Sequence, residues 1–166
     1  DVGDGMIPMV DRNFGPIFHP QERESGREDC DYPHGTMFLA RRTCLQSIGL
    51  YDERFFTYCE EADLGLRAKA AGWDVGLVRG ARVLNPRVST PRAVAGYLME
   101  RNTLLLVKKH FGLGPLLVRT TLSVWQLLRG LVQPSRRNEY WSASARLFAL
   151  RDVVLGRYGA PPDSLT

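Results

Sequence analysis

The sequence predicts an α/β fold that passes into a helical C-terminal extension, and three observations carry that expectation. Short apolar segments bounded by turn residues occupy the first part of the chain. EEADLGLRAKAA, residues 60–71, has helical spacing and stops at a glycine. From about Pro91 to Leu150 the pattern is helical almost throughout. With 166 residues and 44% hydrophobic content the chain can bury one core, so it reads as a compact domain or part of a larger one, not a disordered tail.

Each element follows in order. The opening DVGDGMIPMVDRNFGP has neither the basic start nor the continuous apolar run of a secretory signal. No strand–loop–helix unit opens the chain, and it reads as beginning partway through a domain. Residues 11–31, rich in Pro, Gly and charge, are expected to form a long connecting loop. GTMFLARR (35–42) reads as a buried strand leading into a short helix, TCLQSIG, closed by Gly49. LYDERFFTY crosses to the helix of residues 60–71, which Gly72 terminates. WDVGLVRGARVL supplies one or two strands that Pro86 ends. The helical region breaks around Gly112, Gly114 and Pro115 and again near Pro134. No internal repeat or low-complexity tract is present. The expected division is residues 1–90 and a basic helical part, residues 91–166.

Charge is unevenly placed. Residues 1–100 carry 12 Lys and Arg against 15 Asp and Glu, whereas residues 101–166 carry 10 against 3. The second part is the basic one, which makes anionic lipid or nucleic acid a candidate partner. No RNA- or DNA-binding module accompanies the charge, so nucleic acid ranks lower. In GPLLVRTTLSVWQLLRGLV (114–132), Leu117, Val124, Leu128 and Leu131 share a broad face, with Arg119 and Arg129 interrupting it and Trp125 available for an interface. Two arginines make a spanning helix a poor reading. A helix lying on an anionic leaflet and a helix packed on the core with a solvated basic back both remain open. The three cysteines, Cys30, Cys44 and Cys59, have neither CxxC spacing nor His partners at zinc-ligand intervals, and are read as reduced, small buried hydrophobes in a cytosolic setting.

FFTYCEEADLGLR sets three carboxylates, Glu60, Glu61 and Asp63, behind three aromatic rings. At about 100° per residue, Glu60, Asp63 and Arg67 share a helix face while Glu61 points about 160° away from Asp63. Asp63 and Arg67 stand at i, i+4 in the stabilising order, and first-turn acids suit the helix dipole. Glu61 is the acid left over. A carboxylate at a helix start beside aromatics can serve as a general base; a solvated first-turn acid is the plainer reading of the same position. The aromatics at 55, 56 and 58 read as core before they read as a sugar platform.

The blocks DYPHGTMFLARRTCLQSIGLYDERFFTYCEEADLGLRAKAAGW, ARVLNPRVST and YLMERNTLLLVKKHFG, in that order, resemble the C-terminal half of inverting family 2 glycosyltransferases, particularly the rhamnosyltransferase-like members. The resemblance covers roughly residues 30–112 and implies the C-terminal part of an A-type glycosyltransferase fold, a mixed sheet with flanking helices. It implies transfer of a sugar, rhamnose being one candidate, from a nucleotide diphosphate donor to the hydroxyl of a glycan or lipid-linked glycan with inversion. The family's general base falls on Glu61, with Glu60, Asp63 and Arg67 in supporting positions. His34, Gly35 and Thr36 match the loop near the sugars, and Arg101 and Asn102 match an Arg-Asn pair on the following helix. The enzyme would be cytoplasmic or peripheral at the inner face of the membrane.

Two residues depart from the family pattern. Glu61 stands where the family usually has Asp, and Asn85 stands where a His joins the divalent-metal site. An amide oxygen is a neutral, weaker ligand for the Mg²⁺ or Mn²⁺ that the full enzyme would use. The family's nucleotide-binding half, with its Asp-x-Asp, normally precedes these blocks; Asp29-Cys30-Asp31 follows SGRE and not an apolar strand, and reads as a decoy. The expectation is therefore a fragment or truncated chain of a glycosyltransferase. The alternative is a non-catalytic acceptor-binding or scaffold module that lacks the donor site.

Overall fold

A computed structural model describes residues 6–20, 25–81, 83–84 and 90–165. The chain is a mixture of short strands and longer helices. It separates into two compact units, one of residues 1–11, 16–52 and 60–87 and the other of residues 12–15, 53–59 and 88–166.

In the first unit, strands β1 (Met6–Asp11) and β2 (Gly15–Pro20) pair as a two-stranded sheet, with Gly15 on the turn side of β2. Strand β3 (Gly26–Asp29) pairs antiparallel with β4 (Gly76–Arg79) in the register Gly26↔Arg79 to Asp29↔Gly76. Residues 11–31, expected to be a connecting loop, therefore hold two strands. Short two-stranded pairs need little apolar sequence, so Gly, Pro and charged residues can stand within them. The expected strand at 35–42 does not form. Its backbone is irregular up to helix α1 (Arg42–Ile48), and Met37 and Leu39 are exposed; among the described residues no strand pairs with this segment to take its ladder bonds. Only β4 forms within residues 73–81; Pro86 lies outside the described residues.

Helix α2 (Glu60–Ala70) is the centre of this unit. Glu60, Glu61 and Asp63 lie in its first turn and Arg67 and Lys69 in its last, matching both ends of the helix dipole. Its inner face, Ala62, Leu64 and Ala68, is buried with Ile7, Cys30 and Tyr32. Gly65 makes the close approach possible: a Cβ there would overlap the carbonyl oxygen of Asp31 and the Cα of Tyr32. Cys30 is buried, and burial pushes its thiol up to about 11. Gly49 and Gly72 have φ of 79° and 82°, in the left-handed region where a glycine carries no steric cost, and they close α1 and α2 where expected.

Arg67 ties α2 to α1. Its Nε donates to Asp63 Oδ2 at 2.8 Å, its Nη1 to the Ile48 carbonyl at 2.6 Å and its Nη2 to the Leu50 carbonyl at 2.7 Å. The last carbonyls of a helix find no donor within it, and this guanidinium serves that of Ile48 and those of Gly49 and Leu50 just beyond. Trp73 Nε1 adds a bond to Ser47 Oγ at 3.1 Å.

The second unit is helical: α3 (Arg92–Phe111), α4 (Leu113–Val132) and α5 (Ala143–Leu155), with a 3₁₀ turn at Pro134–Arg136. Gly112 alone separates α3 from α4, so Gly114 and Pro115 lie inside the first turn of α4, where proline's missing N–H costs nothing. Residues 100–107 are buried without interruption, because α4, α5 and the loop of residues 53–59 surround α3. Val94, Tyr97 and Leu98 meet Ala145 and Ala149 of α5, with Tyr58 and Phe148 at the margin. Glu100 is buried between Arg119, Arg146 and Ser123, whose bonds neutralise and saturate its carboxylate.

Arg67→Ala is expected to lower stability by about 3 kcal/mol in urea unfolding, because it removes the ion pair of the buried Asp63 carboxylate and the donors to the Ile48 and Leu50 carbonyls. Asp152 adds a pH dependence. Burial raises its carboxyl, but hydrogen bonds from Arg151 and Tyr97 outweigh that and hold it below its ordinary 3.8. The stabilisation is thus present above that value and is lost as pH falls through the folded-state value. The stability gap between the native chain and Asp152→Asn is expected to narrow as pH falls from about 6 to about 3.

Candidate functional site

The first unit brings Glu61 and Gly35 together. The carboxylate of Glu61 occupies the space where a Cβ on residue 35 would stand, so a side chain of any size there would overlap it. Gly35 and Thr36 are exposed and Glu61 is half-buried, so the carboxylate lies against open backbone on an accessible surface. His34 is half-buried and stacks on Phe18 of β2, with ring centroids 6.1 Å apart and planes 22° from parallel. Tyr51 belongs to the same neighbourhood. Burial raises its phenol above the ordinary value, and the charges of Glu61 and Glu60 raise it further. Neither Tyr51 nor Phe18 was singled out from sequence; the carboxylate pair nine residues past Tyr51 gives no spacing that predicts the approach.

Asp63 and Arg67 pair across one helical turn, as their order predicts, and Asp63 is fully buried. That leaves Glu61 as the acid of this helix start that faces Gly35. Asp29 and Asp31 are both engaged in structure. Asp29 pairs with Arg27 at 3.1 Å, while Asp31 accepts from the Val10 amide at 2.8 Å and pairs with Lys69.

The second unit places Arg101 and Asn102 in the interior of α3, both with 0% exposure. The Asn102 carboxamide nitrogen donates to the carbonyls of Phe55, Thr57 and Tyr58 at 2.7, 2.7 and 2.8 Å. Two hydrogens serve three acceptors, so one is shared. Arg101 donates through Nη2 to the Gly159 carbonyl at 2.8 Å, through Nη1 to Tyr97 Oη at 3.1 Å, and through Nε to Asn102 Oδ1 at 3.0 Å. Tyr97 in turn donates to Asp152 Oδ2 at 2.8 Å. This relay holds the loop of residues 53–59 in an uncommon shape. Phe56, Tyr58 and Cys59 all have positive φ, at 64°, 68° and 70°, a region that costs non-glycine residues about 1–2 kcal/mol each. Phe55 is turned into the core and Phe56 outward, 58% exposed, so one aromatic of the trio is core and one is surface. The loop continues directly into Glu60.

Asn85 lies outside the described residues. Among the described residues no three His, Cys, Asp or Glu side chains gather as metal ligands.

Comparison with known proteins gives one kind of relative. The chain is 34% identical over 110 residues to an N-acetylglucosaminyl-diphospho-decaprenol L-rhamnosyltransferase of Mycobacterium tuberculosis, with the same match in strains CDC 1551 and H37Rv. The match covers 63% of this chain and 36% of each relative's length. It relates this stretch to a glycosyltransferase. No family model and no solved structure matches the chain.

Two substitutions probe the geometry. Gly35→Ala is expected to leave the melting temperature within a few degrees, since the flexible Glu61 side chain can turn aside, while moving its carboxylate in a crystal structure of the variant. Asn102→Ala is expected to cost about 2–4 kcal/mol, because one buried and two partly buried carbonyls lose their donor while the strained loop keeps its cost.

Proposed function

We propose that the chain carries the acceptor side of an inverting glycosyltransferase of A-type fold, with Glu61 as general base. The observation that carries this reading is the Glu61 carboxylate seated against Gly35, where unshielded backbone lets a substrate hydroxyl come within hydrogen-bond reach of the acid. The similarity of the chain to a rhamnosyltransferase over 110 residues supports it.

In the proposed reaction the acceptor hydroxyl gives its proton to Glu61 as its oxygen forms a bond to the anomeric carbon. The bond from that carbon to the diphosphate breaks on the opposite face, and the nucleoside diphosphate leaves with the electron pair. The sugar inverts. His34 and Thr36 flank the same backbone and are proposed to orient the sugars. Arg101 and Asn102 are proposed to act through the loop of residues 53–59, since the Asn102 amide is spent on its carbonyls and Arg101 holds Asn102 Oδ1 and reaches the Phe55 carbonyl. The donor is proposed to be a nucleotide diphosphate sugar and the acceptor a lipid-linked glycan, the kind of molecule that the relative's name describes. Mg²⁺ or Mn²⁺ would offset the charge of the donor's diphosphate when bound; the described residues do not assemble its ligands, and the steps above use the chain's own groups alone.

The test is sugar transfer by the whole protein that contains this chain, with a panel of nucleotide diphosphate sugars and a polyprenyl-diphosphate-linked N-acetylglucosamine as acceptor. Glu61→Gln is expected to lower kcat by about 100-fold or more with donor Kd unchanged, because the amide cannot take the proton. Turnover that survives the substitution would remove Glu61 from the base role.

A further inference from the structure

Helix α4 is inside out for a helix in water. At about 100° per residue, Leu131, Val124, Leu117 and Leu128 fall within about 60° of one another, and Val132 and Trp125 extend the stripe to about 120°. This is the outward face: Leu117, Trp125, Leu128 and Val132 are 68%, 53%, 55% and 80% exposed. The side turned into the unit carries Arg119 and Ser123, buried against Glu100, beside Pro115, Leu127 and Gly130. A soluble helix places its charges outward and its leucines inward. Here the buried polar groups fix the rotation of the helix, because turning Arg119 and Ser123 out would take two of its three partners from the buried carboxylate of Glu100 and leave it Arg146 alone.

What covers the apolar stripe is indicated by its charge setting. Residues 112–138 contain four arginines and no acidic residue. Exposed Lys108 precedes the helix at the end of α3, Arg129 stacks over Trp125 at 5.0 Å, and Arg136 and Arg137 follow immediately. Leucines on one face, a tryptophan at its edge and cations at both ends are the composition of a helix that lies in the boundary of a bilayer. A second copy would bring the same cations against one another, and nucleic acid would not cover the leucines. At 20 residues the helix is about 30 Å long, but no helix among the described residues is long and apolar enough to cross a membrane.

We propose that the outward face of α4 is a membrane-binding surface that seats on an anionic bilayer, with Leu117, Leu128 and Trp125 in the acyl boundary and Arg129, Arg136 and Arg137 among the phosphates. The surface is independent of sugar transfer, so its test does not depend on the catalytic reading.

The experiment is co-sedimentation of the chain with phosphatidylcholine vesicles, with and without about one third phosphatidylglycerol, at low and high salt. Binding is expected only with phosphatidylglycerol, weakened by salt, and accompanied by a blue shift of tryptophan emission that Trp125→Phe removes. Leu117→Glu combined with Leu128→Glu is expected to weaken binding by about tenfold or more. Both sites are exposed, so circular dichroism and the melting temperature should not change. Exchange of Arg129, Arg136 and Arg137 for Gln should remove the lipid preference. Three results would overturn the proposal: no sedimentation with either vesicle, binding that the glutamates leave intact, or a dimer in analytical ultracentrifugation that the glutamates dissociate.

Discussion

Much of this chain is irregular backbone, and buried irregular backbone must find donors for its carbonyls. Its strands form two small sheets among the described residues, so ladders supply few of them. Side chains on helices supply the rest. Arg67 of α2 closes the end of α1, Lys69 reaches the Cys30 carbonyl at 3.4 Å, and Arg101 and Asn102 of α3 take up the loop of residues 53–59. Each unit is therefore organised by one or two polar residues on its central helix as much as by its apolar contacts. These residues are costly to lose, because an orphaned buried carbonyl keeps its full desolvation penalty.

The same demand explains how the loop can hold three residues at positive φ. Strain of this kind persists only where the surroundings over-determine it. Asn102 and Arg101 do so from within the helix, and Tyr97 and Asp152 fix Arg101 in turn. A buried arginine with a defined partner on each nitrogen has little rotational freedom, so the loop inherits the rigidity of α3. Phe56 is held outward by that arrangement and not by packing of its own ring.

What could be read from sequence was what depends on neighbours in the chain. Gly49 and Gly72 end their helices because a left-handed residue is a local requirement, and the Asp63–Arg67 pair follows from one helical turn. The apolar segment at 35–42 reads as a strand because a strand's sequence says nothing about whether a partner is present. Strands β2 and β3 were hidden for the complementary reason, since short pairs with exposed faces carry little apolar pattern. The shape of residues 53–59 depends on an amide 44 to 47 positions along the chain and had no local signal. The leucine stripe of α4 was visible, but not its direction, which the buried Glu100 decides. Of the candidate residues, the closeness of Gly35 to Glu61 was not a matter of spacing at all.

The contact of Gly35 with Glu61 makes the two positions a single unit of volume. A larger residue at 35 displaces the carboxylate, and a shorter acid at 61, such as Asp, withdraws it and leaves room. The effects of changes at the two sites should not add. Library design that varies them one at a time would discard combinations that fit, so they are best exchanged as a pair.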